Sequence, residues 1–300
     1  MLNNSSRLSR RQLLQYSVGL GVTGGLVPRC IASSPDTPRI AALDWTGVEL
    51  IDGVGLTPIA VSDIANYRQW VVTPSLPATT LELGLRNEPN LEVLAALRPD
   101  YMIVPQYLAV ADSQLQQFGL VLRYPFTQPH RKILSVAHDN LLDFGRQLQR
   151  ETFAQQTISR WHSEMTAARQ QLQHWQGKRL LMYSFLSARQ VLVMTSSSLF
   201  GEVLTMMDID CAWQGSANLW GSAVVGIEQL YPLKVDVAIE FLHGESGNSQ
   251  TANHSGLWEK MPFRQHAQYF QVDGTWMYGG LHAALRFTYQ LLRLAERSDD

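Results

Sequence analysis

Short apolar runs alternate with stretches of helical spacing along most of this chain, and the alternation predicts where its elements lie. In the first half, Arg39–Trp45, Leu56–Val61 and Tyr101–Pro105 read as buried strands, with helical spacing over Gly47–Val54 and Asn90–Leu97. In the second half the expected strands are Leu180–Phe185, Gln190–Met194, Val235–Phe241 and Tyr269–Val272. Helices are expected over Ser198–Met207, Ile227–Tyr231 and Gly280–Ala295. Such alternation implies parallel sheets covered by helices. Between the halves, Ile133 to Trp175 holds no proline and a single glycine, Gly145. Glu151 to Trp175 is predicted as one helix, which at 1.5 Å per residue would span ~38 Å. A flexible linker would instead be rich in Gly, Ser or Pro. The expected fold class is therefore α/β: two lobes with parallel or mixed sheets, joined by a long rigid helix and enclosing a cleft. Residues 33–150 form the first lobe, 151–176 the connector and 177–300 the second lobe.

An internal repeat supports two related lobes. NLEVLAALRPDYMIV at 90–104 aligns without a gap on GIEQLYPLKVDVAIE at 226–240. The alignment pairs Leu91 with Ile227, Glu92 with Glu228, Leu94 with Leu230 and Leu97 with Leu233. It continues through Arg98 and Lys234, Asp100 and Asp236, and Ile103 and Ile239. In each copy a helical spacing passes through a basic residue and an aspartate into a buried strand.

The N-terminal stretch SRRQLLQYSVGLGVTGG places Gly19, Gly21 and Gly24 at the spacing of a dinucleotide-binding loop. That fingerprint needs a strand before it and an acidic residue about 20 positions later, and this segment supplies neither convincingly. A charged start, an apolar Leu13 to Val27 and the small-x-small Cys30-Ile31-Ala32 fit an export signal over residues 1–32. Arg10-Arg11 before Gln12-Leu13-Leu14 gives it a twin-arginine character. Cys30 after Val27-Pro28-Arg29 is a poor match to a lipidation box. Removing the leader takes Arg7, Arg10, Arg11 and Arg29 and no acid, so 26 acids face 20 bases. A chain this acidic has no electrostatic case for nucleic acid or an anionic membrane. Only Cys211 remains, so no intrachain disulfide can form. A hydrophobic content of 45% is ample to build a core instead.

Eight tryptophans are the unusual part of the composition. Trp45, Trp70, Trp213, Trp220 and Trp276 fall at or beyond strand ends, where α/β sheets place ligand sites. Trp161, Trp175 and Trp258 are expected to be packing residues. Enzymatic motifs are lacking: Gly244-Glu245-Ser246-Gly247 departs from a nucleophile elbow, and the histidines form no metal-binding pair.

Five stretches point to a family: NYRQW at 66–70, ELGLRNEPNLE at 82–92, NLWGSAV at 218–224, MPF at 261–263 and TWMYG at 275–279. In this order they resemble the periplasmic ferric-hydroxamate siderophore-binding proteins, from about Arg39 to the last helix. The resemblance implies capture of a ferric hydroxamate siderophore and its delivery to an inner-membrane ABC permease by a monomer without catalytic residues. It implies that Arg86 donates to hydroxamate oxygens, that Tyr107 adds a phenolic hydrogen bond, and that Trp70, Trp220, Trp276 and Tyr278 wall the pocket. Trp45, Trp213, Asn218 and Ser222 would lie nearby, and Glu92 and Glu228 would dock the permease. The siderophore saturates its iron with six oxygens, so no cofactor and no protein metal ligand is expected. Another iron chelate, haem, a corrinoid, or a secreted α/β enzyme are the alternatives.

Overall fold

The computed structural model describes residues 37–242 and 256–297. The leader, Cys30 and Gly244-Glu245-Ser246-Gly247 lie outside the described residues. Residues from Pro38 onward cluster as one unit.

The first half builds a wholly parallel sheet from β1 (Ile40–Ala42), β2 (Ala60–Val61), β3 (Leu81–Glu82), β6 (Tyr101–Ile103) and β7 (Leu120–Leu122), in the order β3-β2-β1-β6-β7. The hairpin β4 (Gly84–Leu85) and β5 (Glu88–Pro89) stands apart from it. Helices α1 (Trp45–Gly53), α2 (Ile64–Asn66), α3 (Leu91–Leu97) and α4 (Asp112–Leu115) connect these strands. The second half builds a mixed sheet from β8 (Arg179–Phe185), β9 (Gln190–Met194), β10 (Asp210–Cys211), β11 (Ser222–Gly226), β12 (Val237–Leu242) and β13 (Gln268–Asp273). Only β9 runs against its neighbours, β8 and β11.

The helices α5 (Ile133–Gln147), α6 (Glu151–Gln171), α7 (Leu199–Met206) and the final helix, Leu281–Glu296, pack against one another. Ala154, Ile158, Trp161, Met165 and Ala168 recur at alternating steps of four and three along α6, which gives it a buried stripe. The connector is thus a 21-residue helix, shorter than expected. A 3-10 turn over Gln173–Trp175 tightens its end, and Gly177 (φ +74°) leaves in the left-handed region that glycine tolerates. Trp161, Trp175 and Trp258 are buried packing residues, as expected.

The repeat is visible atom by atom. The backbone N–H of Arg39 donates to Asp100 Oδ2 (2.7 Å), and that of Arg179 to Asp236 Oδ2 (2.8 Å). The Asp100 and Asp236 N–H groups return to the Arg39 and Arg179 carbonyls (2.8 and 2.9 Å). Leu120 and Gln268 then donate to the two aspartate carbonyls, both at 3.0 Å. Each aspartate registers the start of three parallel strands, which explains the matched charge in each copy.

Boundaries differ where local geometry overrides the apolar pattern. The first strand ends at Ala42, because the chain turns at Asp44 and Trp45 already opens α1. Glu228 sits on a four-residue 3-10 turn, Ile227–Leu230, rather than on an α-helix like that of Glu92. The strands β3, β7 and β10 carry only two or three residues, too few to show a period.

Candidate functional site

The glutamate-to-glutamate stretch 82–92 folds into a device that presents one arginine. Leu83 is fully buried, and Gly84 takes φ +81°, which starts the hairpin. Glu82 accepts from the backbone N–H groups of Asp63, Ile64 and Gly84 (2.8, 2.8 and 2.9 Å) and so fastens the Asp63 loop to the hairpin base. Asn90 caps α3 by accepting from Glu92 and Val93. Arg86 and Asn87 are the two residues left at the tip.

The Arg86 guanidinium carbon lies 3.6 Å from the centroid of the Trp45 ring and 4.9 Å from that of Trp276. Both ring faces attract the cation. Asp44 Oδ1 stands 3.6 Å from Nη1 and Asp63 Oδ2 stands 3.7 Å from Nε. Both distances exceed hydrogen-bond reach, and Nε is buried without a hydrogen-bond partner. An arginine in this state has donor capacity to offer. The Tyr107 hydroxyl donates to Asp44 Oδ1 at 3.1 Å. Burial, followed by the Asp44 charge, pushes the Tyr107 phenol far above its ordinary range, so it stays protonated.

Aromatic rings enclose the space above Arg86. Trp276 meets Trp45 edge-on (4.7 Å) and Tyr278 edge-on (5.2 Å). Trp220 stacks on Phe126 (5.6 Å, 19°) and meets Tyr278 edge-on (5.5 Å). A tight turn projects Trp220: Asn218 Oδ1 accepts from the N–H groups of Trp220 and Ser222, at 2.9 and 3.1 Å. Gly221 (φ +74°) closes that turn, where a Cβ would fall 2.3 Å from the Ser198 Cα. The resulting cavity is about 550 Å³ and is lined by Asp44, Asp63, Arg86, Tyr107, Tyr124, Phe126, Trp220, Trp276 and Tyr278, among others. A second cavity of about 350 Å³ shares Arg86, Trp276 and Tyr278 and extends past Trp70 to Leu186 and Leu192. Both halves of the chain therefore contribute walls. Among the described residues, no cluster of three His, Cys, Asp or Glu could hold a metal ion.

Arg86, Tyr107, Trp70, Trp220, Trp276 and Tyr278 thus converge. Trp45 lies beneath the site: it is buried, and its indole N–H donates to the Ser62 carbonyl at 3.0 Å. Asn218 and Ser222 shape the Trp220 turn, and Asn218 lines a different cavity. Trp213 does not join them. It is buried, its ring packs on Gly215, and it faces the Ser216 carbonyl of its own turn. Met261 and Phe263 of the MPF stretch are core residues. Sequence reasoning missed Asp44, Asp63, Tyr124 and Phe126. Tyr124 and Phe126 sit in irregular chain without periodicity, and no motif signal distinguishes the two aspartates from other loop acids. Glu92 and Glu228 are exposed, each in the first turn of its short helix.

The sequence profile of the periplasmic binding protein family matches residues 40–273. The chain belongs to this family. It is 30% identical over 280 residues to the iron(3+)-hydroxamate-binding protein FhuD of Escherichia coli K12, covering 93% of this chain and 94% of that protein. It is 24% identical to the achromobactin-binding periplasmic protein of Dickeya dadantii, covering 92% of each. Among solved structures it resembles the siderophore-binding protein FhuD of Vibrio cholerae bound to Fe3+–Desferal. That match has a TM-score of 0.77 and 25% identity, covering 85% of this chain and 98% of the other. The fold is that of the siderophore-binding protein of Vibrio cholerae, and these relatives are binding proteins rather than enzymes.

Proposed function

We propose that this protein captures ferric hydroxamate siderophores in the periplasm and hands them to an inner-membrane ABC permease. The observation that carries the reading is Arg86: a cation stacked on tryptophan at the cavity floor, its buried Nε unpartnered. A trihydroxamate chelate presents electron-rich oxygens around a saturated iron and an organic shell outside them. A fixed guanidinium suits the oxygens, and aromatic walls suit the shell. The iron needs no ligand from the protein, so the site works without a cofactor. The E. coli relative, an iron(3+)-hydroxamate-binding protein, supports the same ligand class.

In this reading the protein is an exported monomer without catalytic activity, and Glu92 and Glu228 dock it on the permease. Its export uses the twin-arginine route, which requires Arg10 and Arg11; normal periplasmic recovery of the Arg10→Lys, Arg11→Lys protein would overturn that route. The ligand test is titration of tryptophan fluorescence with ferric trihydroxamates, ferric citrate, haem and a corrinoid. Saturable quenching by the trihydroxamates at the lowest concentrations is expected. Tighter binding of haem or corrinoid, or chemical turnover of the chelate, would overturn the assignment.

A further inference from the structure

Three charged side chains line the cavity among the described residues: Arg86, Asp44 and Asp63. Their sum is one negative charge. All three are poorly solvated, with side-chain exposures of 24, 11 and 14%. The tyrosines around them add nothing, because burial holds the phenols of Tyr107, Tyr124 and Tyr278 protonated. Asp44 is held in place by the Tyr107 hydroxyl on Oδ1 and the Thr46 hydroxyl on Oδ2. Asp63 accepts from Asn66 Nδ2 on Oδ1 (2.8 Å), while its Oδ2 has only the guanidinium, at 3.7 Å.

A ferric trihydroxamate core is neutral, since three hydroxamate anions balance the iron. Arg86 serves that core equally in every member of the class. What differs between members is the free end, which can be an ammonium, an amide or a carboxylate. The net field of the lining acts on that end. A unit charge about 10 Å from an uncompensated unit charge, at an effective dielectric near 20, feels a bias of roughly tenfold in binding.

We propose that Asp44 and Asp63 make the pocket select its chelate by charge, favouring ferric hydroxamates with a cationic free end and disfavouring those with a carboxylate. The proposal rests on the hydroxamate reading above and adds the charge of the preferred member. Arg86 alone would predict the opposite order, so the two acids decide the sign.

Three ferric complexes of one linear trihydroxamate supply the test: the free terminal amine, its N-acetyl derivative and its N-succinyl derivative. They share the metal core and differ in end charge. Fluorescence titration of the mature protein should rank them amine, acetyl, succinyl, with steps of roughly tenfold at low salt that shrink as salt is added. In the Asp44→Asn, Asp63→Asn protein Arg86 is the charge that remains in the lining, so the order should reverse to succinyl, acetyl, amine. Asparagine keeps the shape at both positions and tolerates the left-handed φ of +60° at Asp63, so the variant retains its backbone. A ratio between matched ligands is insensitive to a general loss of packing. Equal binding of the three by the native protein, or steps unchanged in the double variant, overturns the charge selection alone. Absence of quenching by all three overturns the hydroxamate reading and the selection with it.

Discussion

Arg86 and the tryptophans do different work, and substitutions separate them. Arg86→Ala removes the only cation of the described cavity lining and should weaken chelate binding by ~1.5–3 kcal/mol, the worth of a charged hydrogen-bond donor. It also leaves Asp44 and Asp63 without the cation between them, so the ligand-free melting temperature should fall. Adding Asp44→Asn should recover stability without recovering affinity. An Arg86→Ala protein that binds with native affinity would remove the arginine from the site. Trp220 stands about one-third exposed at the rim, whereas Trp213 is buried away from the cavity. Trp220→Ala should therefore cost affinity and spare stability. Trp213→Ala should do the reverse, with a loss of ~3–5 kcal/mol typical of a buried tryptophan. Paired calorimetry and fluorescence titration on the two variants would show the contrast, and equal affinity losses would refute it.

Buried carboxylates cap helices across the molecule at the scale of elements. Glu49 of α1 accepts from the N–H groups of Gly280, His282 and Ala283, at 2.9, 3.1 and 3.4 Å, at the start of the final helix. Glu202 of α7 accepts from Ile133 and Leu134, at 2.7 and 3.0 Å, at the start of α5. Each satisfies donors that a helix N-terminus leaves unpaired and sits favourably in its dipole. A Cβ at Gly279 would fall 2.2 Å from Glu49 Oε1, which accounts for a glycine at the end of TWMYG.

Beside this cap, His282 Nε2 bonds Asp52 Oδ2 at 2.7 Å. Burial opposes charging of the imidazole, but the Asp52 bond and the nearby Glu49 and Asp52 charges outweigh it and raise its pKa above 6.5. A raised histidine pKa adds stability that is full below the unfolded value and is lost as pH rises through the folded one. The melting temperature of the native protein should therefore exceed that of His282→Gln by more at pH 6 than at pH 9. Each kcal/mol of difference corresponds to about 2–4 °C for a chain of this size class. A pH-independent difference would show that the imidazole titrates in the folded protein as it does in the unfolded chain, and a difference larger at pH 9 would show that folding lowers its pKa.

For the whole molecule, the repeat matters because Glu92 and Glu228 occupy matched, exposed positions, one in each half. Two equivalent acids suit a permease with two related halves, where charge complementarity sets docking register. Changing both to alanine should leave chelate affinity intact, because neither lines the cavity. Uptake through the permease should fall several-fold, and the Glu92→Arg, Glu228→Arg pair should lower it further. Native uptake by the double alanine variant would return both acids to helix-end electrostatics, worth ~0.3–1 kcal/mol each.

The sequence by itself determined what depends on neighbours along the chain. Apolar periods placed the longer strands and helices, and the repeated order of a basic residue and an aspartate before a strand (Arg98 and Asp100, Lys234 and Asp236) marked two related lobes. The role expected of Arg86 came from the family resemblance of ELGLRNEPNLE, and the structure adds how glycine and a capping asparagine within a few residues present it. Tertiary structure alone decided which of the loop tryptophans meet. Trp45 went beneath Arg86 and Trp213 went to its own turn, though both follow predicted strands. The same packing brought Asp44, Asp63 and Phe126 to the cavity and set Glu49 against a helix more than two hundred residues away. Local pattern specifies an element and its face; which loops converge depends on how sheets and helices stack, a relation between residues that no spacing along the chain encodes.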